Sequence, residues 1–246
     1  MSLPILFDNK HTNLILRRAK EYIQEDPFIQ KNIEANILQR LESFLNFNPK
    51  HILVSGICTK SFMPFLNNLY PKSTIEFLWP EERNFISLNQ KSFDLVLAIN
   101  FFHHINDLPG VLSLVYNALK ANGLFLTSLF GENTLRELEE LFWQIEERLY
   151  KKMLLHTMPK IDIKTLGSLL QRSRFSNPVA DQETYTIEYD SLSRISTDIK
   201  TLGLSSTLIK RSKKPLRKDV FYEATKHIKR GIFLTYDTLY ATGYKL

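Results

Sequence analysis

Apolar positions recur along the chain with two different periods. Between Leu14 and Leu45 they return at three- and four-residue steps, with a break at Asp26-Pro27, and this spacing is typical of helices. Asn48-Pro49 ends the helical stretch. The pattern therefore predicts two helices ahead of the first strand.

The remainder of the chain alternates short apolar runs with helical spacing. The apolar runs predict strands at residues 51–55, 74–78, 93–99, 124–129, 179–189 and 233–244. Helical spacing predicts helices at 108–121, 163–174, 192–202 and 217–229, and one more after a capping box formed by Thr134 and Glu137. Asp107 is placed to cap the helix that starts at residue 108.

This order of elements indicates an α/β fold with a doubly wound, mostly parallel sheet. The strand, helix and strand from residue 93 to 129 require a right-handed crossover between parallel strands. The two late strands have no long crossover between neighbours, so we expect an antiparallel strand pair at one edge.

A length of 246 residues favours a single domain with one core. Within residues 1–246 we expect an N-terminal helical segment at 1–48, a nucleotide-fold core at 49–133, and C-terminal helices and edge strands at 134–246. With 43% hydrophobic residues, disorder is excluded.

Composition also limits where the protein works. No apolar run approaches the roughly 18 residues of a membrane span, and the first ten residues lack the blocks of a signal peptide. The lone Cys58 excludes an internal disulfide and a cysteine-based metal cluster. We therefore expect a cytoplasmic protein without a membrane span.

The net charge of +6 raises the question of nucleic acid. Much of it lies in the segment Lys210–Lys218, where no aromatic residues interleave with the cations to stack on bases. We interpret the segment as a solvated loop leading into a helix, and nucleic acid is not an expected partner.

Ligands of doubly wound sheets bind beyond the carboxyl ends of the strands. Those ends are the loops at residues 55–61, 78–82, 100–106 and 130–133. The candidate cofactor-binding residues in these loops are Gly56, Glu81 and Asn100, and Glu76 of the second strand is a fourth candidate. Glu76 follows Gly56 by 20 residues, the spacing of an acid that binds ribose hydroxyls. As a mid-strand residue, Glu76 is equally compatible with an edge position facing water.

Two other kinds of site, one for a nucleotide phosphate and one for a metal ion, are not expected. Lys60-Ser61 follows a strand, but the glycines of a phosphate-binding loop are missing, so ATP or GTP is not expected. His103-His104 lacks further nearby ligands, so no metal site is predicted. His103 remains a candidate catalytic base because histidine titrates near neutrality. The alternative is one packed and one solvated histidine.

Several motifs carry a resemblance that spans nearly the whole chain. They are Phe93-Asp94-Leu95-Val96, His103 followed by Asn106-Asp107-Leu108-Pro109-Gly110, Gly123-Leu124-Phe125-Leu126, Ser128-Leu129-Phe130-Gly131, Thr134-Leu135 and Leu239-Tyr240-Ala241-Thr242-Gly243-Tyr244. On these residues the chain resembles the methyltransferase-like family of the mitochondrial respiratory complex I assembly factor, for which arginine hydroxylase activity is proposed, and its bacterial relatives. More distantly it is similar to the malonyl-acyl-carrier-protein methyltransferase of biotin synthesis.

The resemblance implies a class I, Rossmann-like methyltransferase fold, S-adenosylmethionine as cofactor, and a protein partner such as a respiratory-complex subunit. The chain departs from the family at its first loop, where Val54 aligns with an acid and Cys58 and Lys60 align with glycines. Bare backbone permits close approach of a ligand, and a lysine brings positive charge towards a cationic sulfonium. His104 replaces a tryptophan. The stretch from residue 78 to 93 is short for a full crossover, so one strand–helix unit is expected to be shortened.

Three functional hypotheses follow from the resemblance and these departures. The first is a degenerate methyltransferase-fold protein, with a lost or weakened S-adenosylmethionine site, that binds a protein partner during assembly of a respiratory NADH dehydrogenase. The second is an active class I methyltransferase that holds its cofactor through Gly56 and an acid from Glu76, Glu81 or Glu82. The third is an arginine hydroxylase-like enzyme that uses His103 and a distant carboxylate.

Overall fold

The computed structural model describes residues 5–23, 27–90, 92–151, 154, 156–211 and 216–246, without the side chains at 82, 83, 89 and 90. Asp26, and residues 212–215 of the basic segment Lys210–Lys218, lie outside these residues. Six strands of the described chain form one sheet in the order β2-β1-β3-β4-β6-β5. Their bounds are β1 His51–Gly56, β2 Thr74–Leu78, β3 Phe93–Ile99, β4 Leu119–Phe130, β5 Ser176–Tyr189 and β6 Ile232–Tyr244.

Helices cover both faces of this sheet. The α-helices in the described residues are α1 Asn9–Tyr22, α2 Phe28–Ser43, α3 Phe62–Leu69, α4 Glu82–Ile86, α5 Leu108–Ala118, α6 Arg136–Tyr150, α7 Ile163–Arg172, α8 Leu192–Thr201 and α9 Lys218–Ile228. Short 3₁₀ turns lie at Ser87–Gln90 and Phe102–His104. Of the helices that are described, none combines the length and the apolar character needed to cross a membrane.

The strand directions confirm the predicted fold class. β1 pairs in parallel with β2 and β3, and β3 pairs in parallel with β4. β6 is antiparallel to both β4 and β5, which forms the predicted antiparallel pair at one edge. The central strands are buried almost throughout because helices cover both of their faces.

Two apolar clusters lie on opposite faces of the sheet. On one face, Ile33 and Ile37 of α2 belong to the same buried cluster as Val54 of β1. On the other, Leu16 of α1 shares a cluster with Leu53 of β1. Alternate residues of β1 thus reach opposite clusters, as the pleat of a strand requires. The N-terminal helices predicted from the spacing are therefore part of the core.

The connection between β2 and β3 is reduced, as expected. It contains the five-residue α4 and one 3₁₀ turn, and β2 forms an edge of the sheet. Phe77 of β2 is consequently 45% exposed.

Two local predictions are wrong. α5 ends at Ala118, three residues early, because Leu119 already pairs with Phe93 in the sheet. The capping box is also absent. Thr134 Oγ1 donates to the Asp237 carbonyl at 3.0 Å, and the Glu137 carboxylate accepts from the backbone N–H of Thr235 at 3.0 Å. Both side chains bond to β6, a partner that local spacing does not reveal.

Candidate functional site

The carboxyl ends of the parallel strands meet at one edge of the sheet, as the topology requires. Gly56 lies beside Ile99, and Ile99 lies beside Ser128. The loops after β1, β3 and β4 therefore converge, and a site at this edge is built from them together with the helices above.

Gly56 is held by the sheet itself. Its φ of +132° is unfavourable for a residue with a side chain, and an added Cβ would lie 1.9 Å from the Ile99 carbonyl oxygen. The same oxygen accepts the Ile57 N–H at 2.9 Å. Glycine at this position is thus required by strand packing, whether or not a ligand binds.

A carboxylate from α2 occupies the turn after β1. Glu34, 5% exposed, accepts the Thr59 N–H at 2.6 Å through Oε1 and the Thr59 hydroxyl through Oε2. Burial raises the pKa of Glu34, while the bonds from Thr59 oppose that shift. Sequence analysis missed Glu34, although its place on the buried stripe of α2, between Ile33 and Ile37, was a signal that it has a buried partner.

The bonds continue from Glu34 across three strand ends. Gln30 Nε2 donates to Glu34 at 3.1 Å and to the Ile57 carbonyl at 2.7 Å. Asn100 Nδ2 donates to Gln30 Oε1 at 2.9 Å, and Ser128 Oγ donates to Asn100 Oδ1 at 3.0 Å. We call this set, Gln30, Glu34, Thr59, Asn100 and Ser128, the strand-end network. Both Nδ2 and Oδ1 of the Asn100 amide are therefore bonded to other residues of the protein.

A cavity of about 250 Å³ remains beside Gly56, and we call it the first-turn cavity. It is lined by Leu16, Lys20, Ile23, Gly56, Ile57, Cys58, Thr59, Lys60, Met63, Phe77, Trp79 and Pro80. Burial raises the pKa of the Cys58 thiol well above its usual value. Val54, at the position of the family's acid, is buried in the apolar cluster below α2.

The candidate acids lie elsewhere. Glu76 is partly buried in the middle of β2, in register with Leu53. Glu81 is buried and lines a second cavity of about 230 Å³ with Asn9, Thr12 and His104. Among the four predicted cofactor-binding residues, Gly56 lines the first-turn cavity and Glu76, Glu81 and Asn100 do not.

His103 and His104 are both buried, so the alternative of one packed and one solvated histidine is wrong. The His104 ring lies 2.8 Å from the Gly203 carbonyl through Nε2 and 3.1 Å from Thr207 Oγ1 through Nδ1. Nε2 must carry the proton that the carbonyl accepts, so Nδ1 accepts from the hydroxyl. Burial lowers the pKa of His104 to about 4.

His103 is the more unusual of the two. Its ring centroid lies 4.3 Å from that of His104, and burial lowers its pKa well below the usual value. Neither ring nitrogen has a hydrogen-bond partner among the described residues. The described part of the chain also brings together no group of three or more histidine, cysteine, aspartate or glutamate side chains suited to hold a metal ion.

The basic segment is partly engaged with its own protein. Arg211 forms an ion pair with Asp8 at 3.4 Å, and the Arg217 guanidinium lies 3.9 Å from the ring centroid of Tyr150. The Arg211 side chain is 11% exposed in this pair, whereas the Arg217 side chain stays 65% exposed.

Sequence comparisons relate the chain to methyltransferases and their relatives. A methyltransferase domain family profile matches residues 63–127. The chain is 32% identical over 165 residues to the mitochondrial arginine-hydroxylase NDUFAF5 of Dictyostelium discoideum, a match that covers 64% of this chain and 38% of that protein. It is 26% identical over 229 residues to the malonyl-[acyl-carrier protein] O-methyltransferase of Xylella fastidiosa, covering 84% of this chain and 75% of that one.

The fold matches solved methyltransferases as well. The structure aligns with phosphoethanolamine N-methyltransferase 2 of Haemonchus contortus, solved with S-adenosylhomocysteine, at a TM-score of 0.51 and 14% identity. The alignment covers 95% of this chain and 57% of that chain. The resemblance predicted from the sequence is thereby confirmed: the chain has the Rossmann-like fold of class I methyltransferases and is similar in sequence to the arginine-hydroxylase NDUFAF5 and malonyl-[acyl-carrier protein] O-methyltransferase proteins.

Proposed function

We propose that this chain is a degenerate methyltransferase-fold protein whose S-adenosylmethionine site is lost or weakened, and that it acts by binding a protein partner. The observation that carries the proposal is the Glu34 carboxylate, which accepts both the N–H and the hydroxyl of Thr59 in the turn after β1. A residue of the protein itself thus uses donors at the place where a ligand would approach the strand end.

Displacing Glu34 is costly. A ligand carboxylate that bonds to the Thr59 N–H must leave Glu34, which is 5% exposed, without that partner. A buried polar group that loses its partner costs about 1–3 kcal/mol, and more when it is charged. Gln30 and Asn100 share the same network, so the disturbance extends to the end of β3.

The charge of the cofactor also bears on the fit. Among the described residues, those that line the first-turn cavity include no carboxylate. S-adenosylmethionine carries a sulfonium cation, and the apolar Val54 at the strand end supplies no charge to stabilise it. The residues present therefore do not fit the cofactor, and we derive no chemical step through it.

Calorimetric titration with S-adenosylmethionine and S-adenosylhomocysteine tests the first half of the proposal. We expect no heat of binding and no shift of the melting temperature under conditions in which an active class I methyltransferase binds both. Stoichiometric binding of either molecule would contradict the proposal and favour the active methyltransferase. The hydroxylase alternative instead requires iron-dependent arginine oxidation that His103→Ala removes.

A groove between α6 and α9 supports the protein-binding half. The groove has a volume of about 420 Å³. It is lined on α6 by Leu141, Gln144, Ile145 and Arg148, and on α9 by Glu223, Lys226, His227 and Arg230. Glu223 bridges Arg148 at 2.9 Å and Lys226 at 3.6 Å. The described lining thus holds three cations, Arg148, Lys226 and Arg230, and one carboxylate, Glu223. Together with the apolar Leu141 and Ile145, this excess of positive charge fits an acidic helical segment of a partner protein. In the assembly role implied by the family resemblance, that partner is a respiratory-complex subunit.

Fluorescence anisotropy with an amphipathic peptide bearing glutamates on one face and leucines on the other tests the groove. We expect salt-sensitive binding that the double variant Arg148→Glu/Arg230→Glu removes. The matched control is Lys218→Glu/Lys229→Glu, which makes the same charge change at exposed positions outside the groove. Equal loss in both variants, or no binding to the wild type, would refute the docking site.

A further inference from the structure

The cavity of about 230 Å³ lies between the N-terminal half of α1 and the loops after β2 and β3, and we call it the α1 cavity. Its lining includes Thr12, Asn13, Pro80, His104 and Ile105. Among the described residues, it shares only Pro80 with the first-turn cavity. We propose that the α1 cavity binds a small uncharged molecule that donates hydrogen bonds through N–H groups, such as a primary carboxamide. This inference goes beyond the proposed function and does not depend on the loss of the cofactor site.

Two polar atoms of the lining residues have no partner within the described chain. Thr12 is 8% exposed, and its Oγ1 is buried without a hydrogen bond. Oδ1 of the adjacent Asn13 is buried without one as well. Such atoms are uncommon in folded proteins, because a buried polar atom that lacks a partner lowers stability. A ligand in the α1 cavity would supply both missing partners.

The missing partners are hydrogen-bond donors. Asn13 Oδ1 can only accept, and Thr12 Oγ1 can accept as well as donate. A ligand that satisfies both atoms must therefore bring N–H or O–H groups. The NH₂ group of a primary carboxamide carries two donors on one nitrogen, whereas a hydroxyl group carries one. Two neighbouring acceptors thus favour the carboxamide.

His104 contributes a wall of the α1 cavity whose polar atoms are already bonded. Its Nε2 lies 2.8 Å from the Gly203 carbonyl oxygen and its Nδ1 lies 3.1 Å from Thr207 Oγ1. Burial lowers the pKa of His104 to about 4, so the ring is neutral at pH 7. The imidazole therefore adds neither a charge nor a free donor, and recognition falls to Thr12 and Asn13.

The remaining walls favour an uncharged and small ligand. Pro80 and Ile105 are buried and apolar. Of the charged residues that line the cavity, Lys10 is exposed to solvent and Glu81 has an interaction of its own. A charged ligand would lose its hydration without gaining a dedicated counter-ion, which is costly. The volume of about 230 Å³ is below the roughly 300–1,000 Å³ of typical ligand pockets, so it selects a small molecule.

Calorimetry with benzamide, acetophenone and benzoate tests the class of ligand. Acetophenone has nearly the shape of benzamide but carries a methyl group in place of the NH₂ group, and benzoate is an anion of similar size. We expect stoichiometric binding of benzamide, about tenfold tighter than that of acetophenone, because acetophenone leaves both acceptors unpaired. Benzoate should bind more weakly than benzamide. Absence of benzamide binding, or equal affinity for benzamide and acetophenone, overturns the inference.

Two threonine variants show whether benzamide binds in the α1 cavity. Thr12→Val removes the hydroxyl with little change of shape and should weaken benzamide binding about fivefold or more. The matched control is Thr238→Val, since Thr238 Oγ1 is also buried without a partner but Thr238 is not among the described residues that line the cavity. Each change removes an unpaired buried hydroxyl, so both variants should melt at or above the wild-type temperature, which shows that they fold. Unchanged benzamide affinity in Thr12→Val, or an equal loss in both variants, contradicts binding at this site.

Discussion

Two strand–helix–strand units of the sheet differ sharply. In the unit from β3 to β4, Asp94 accepts from the His51 N–H at 2.8 Å and from Lys120 Nζ at 2.9 Å, and Asp107 caps α5 through the Gly110 N–H at 2.9 Å. In the unit from β1 to β3, the connection after β2 is reduced and Glu34 fills the first turn. The polar contacts of the first unit hold strands and a helix together, whereas those of the second lie at the strand ends.

Residues of the family resemblance in the first of these units have structural roles. Asn106, in the most specific part of the family resemblance, accepts the backbone N–H groups of Leu6 and Phe7 at 2.8 Å each. Asp107, its neighbour, is a helix cap. Both residues therefore contribute to the stability of the fold.

The largest effect is expected where the two units touch. Gly56→Ala places a Cβ 1.9 Å from the Ile99 carbonyl oxygen at a φ of +132°. We expect a loss of more than about 4 kcal/mol in unfolding free energy, or no soluble protein, since clash and backbone strain add. Urea denaturation measures it. Gly167→Ala, in the open interior of α7, is the control and should gain about 0.5–1 kcal/mol. A wild-type midpoint for Gly56→Ala would contradict the assigned strand packing.

The second largest effect is a loss of folding stability in acid, which is expected from the buried His103 and His104. Burial lowers the pKa of His104 from 6.5 to about 4 and also lowers that of His103. Below pH 6.5 the unfolded chain therefore binds protons that the folded chain does not, and stability falls as the pH drops towards 4. For His104 the loss is about 3 kcal/mol. Protonation of Glu34, whose pKa is raised, acts in the opposite direction.

Urea midpoints at pH 7 and pH 5 measure this dependence. His104→Gln should flatten it, while His227→Gln, at an exposed position, should not. Equal slopes in wild type and His104→Gln would show that His104 is not the buried neutral group described.

The strand-end network should contribute somewhat less. Glu34→Ala leaves the Thr59 N–H and hydroxyl and one Gln30 N–H without their acceptor, which costs about 2–3 kcal/mol. Glu34→Gln keeps one acceptor oxygen and should cost about half of that. Glu42→Ala, exposed on the same helix, should change stability by less than about 0.5 kcal/mol. Chemical denaturation of the three variants measures these losses. Equal stability of Glu34→Ala and Glu42→Ala would show that the strand-end network does not stabilise the fold.

The smallest effect concerns a single cap in the unit from β3 to β4. Asp107→Ala removes the acceptor for the Gly110 N–H and should cost about 1 kcal/mol. Asp162→Ala removes the equivalent bond to the Thr165 N–H of α7 and should also lower the melting temperature. If thermal melts show no loss in either variant, these caps do not stabilise the fold.

Sequence patterns predicted the elements of the sheet because buried strands are short apolar runs with turns at both ends. β2 and β3 begin and end where the pattern places them, at residues 74–78 and 93–99. The pattern does not predict what long-range contacts decide. The helix α5 ends early because of the pairing with Phe93, and Thr134 bonds to β6 instead of capping α6.

The candidate site was harder to predict. The position of the ligand edge follows from topology, but its occupant does not, because Glu34 and Gln30 bond to residues 25 and 27 positions away. Polar residues on a buried helical stripe indicate a buried partner without naming it. Glu76 lies mid-strand, as its place in the apolar run indicates, and its role in binding a ribose stays a prediction.

A crystal of the full chain soaked with S-adenosylhomocysteine tests the central claim most directly. We expect no ligand density at the turn after β1. The Thr59 N–H should remain bonded to Glu34, at the distance of 2.6 Å found in the present structure. A ligand carboxylate bonded to that N–H, with the Glu34 side chain displaced, would contradict it.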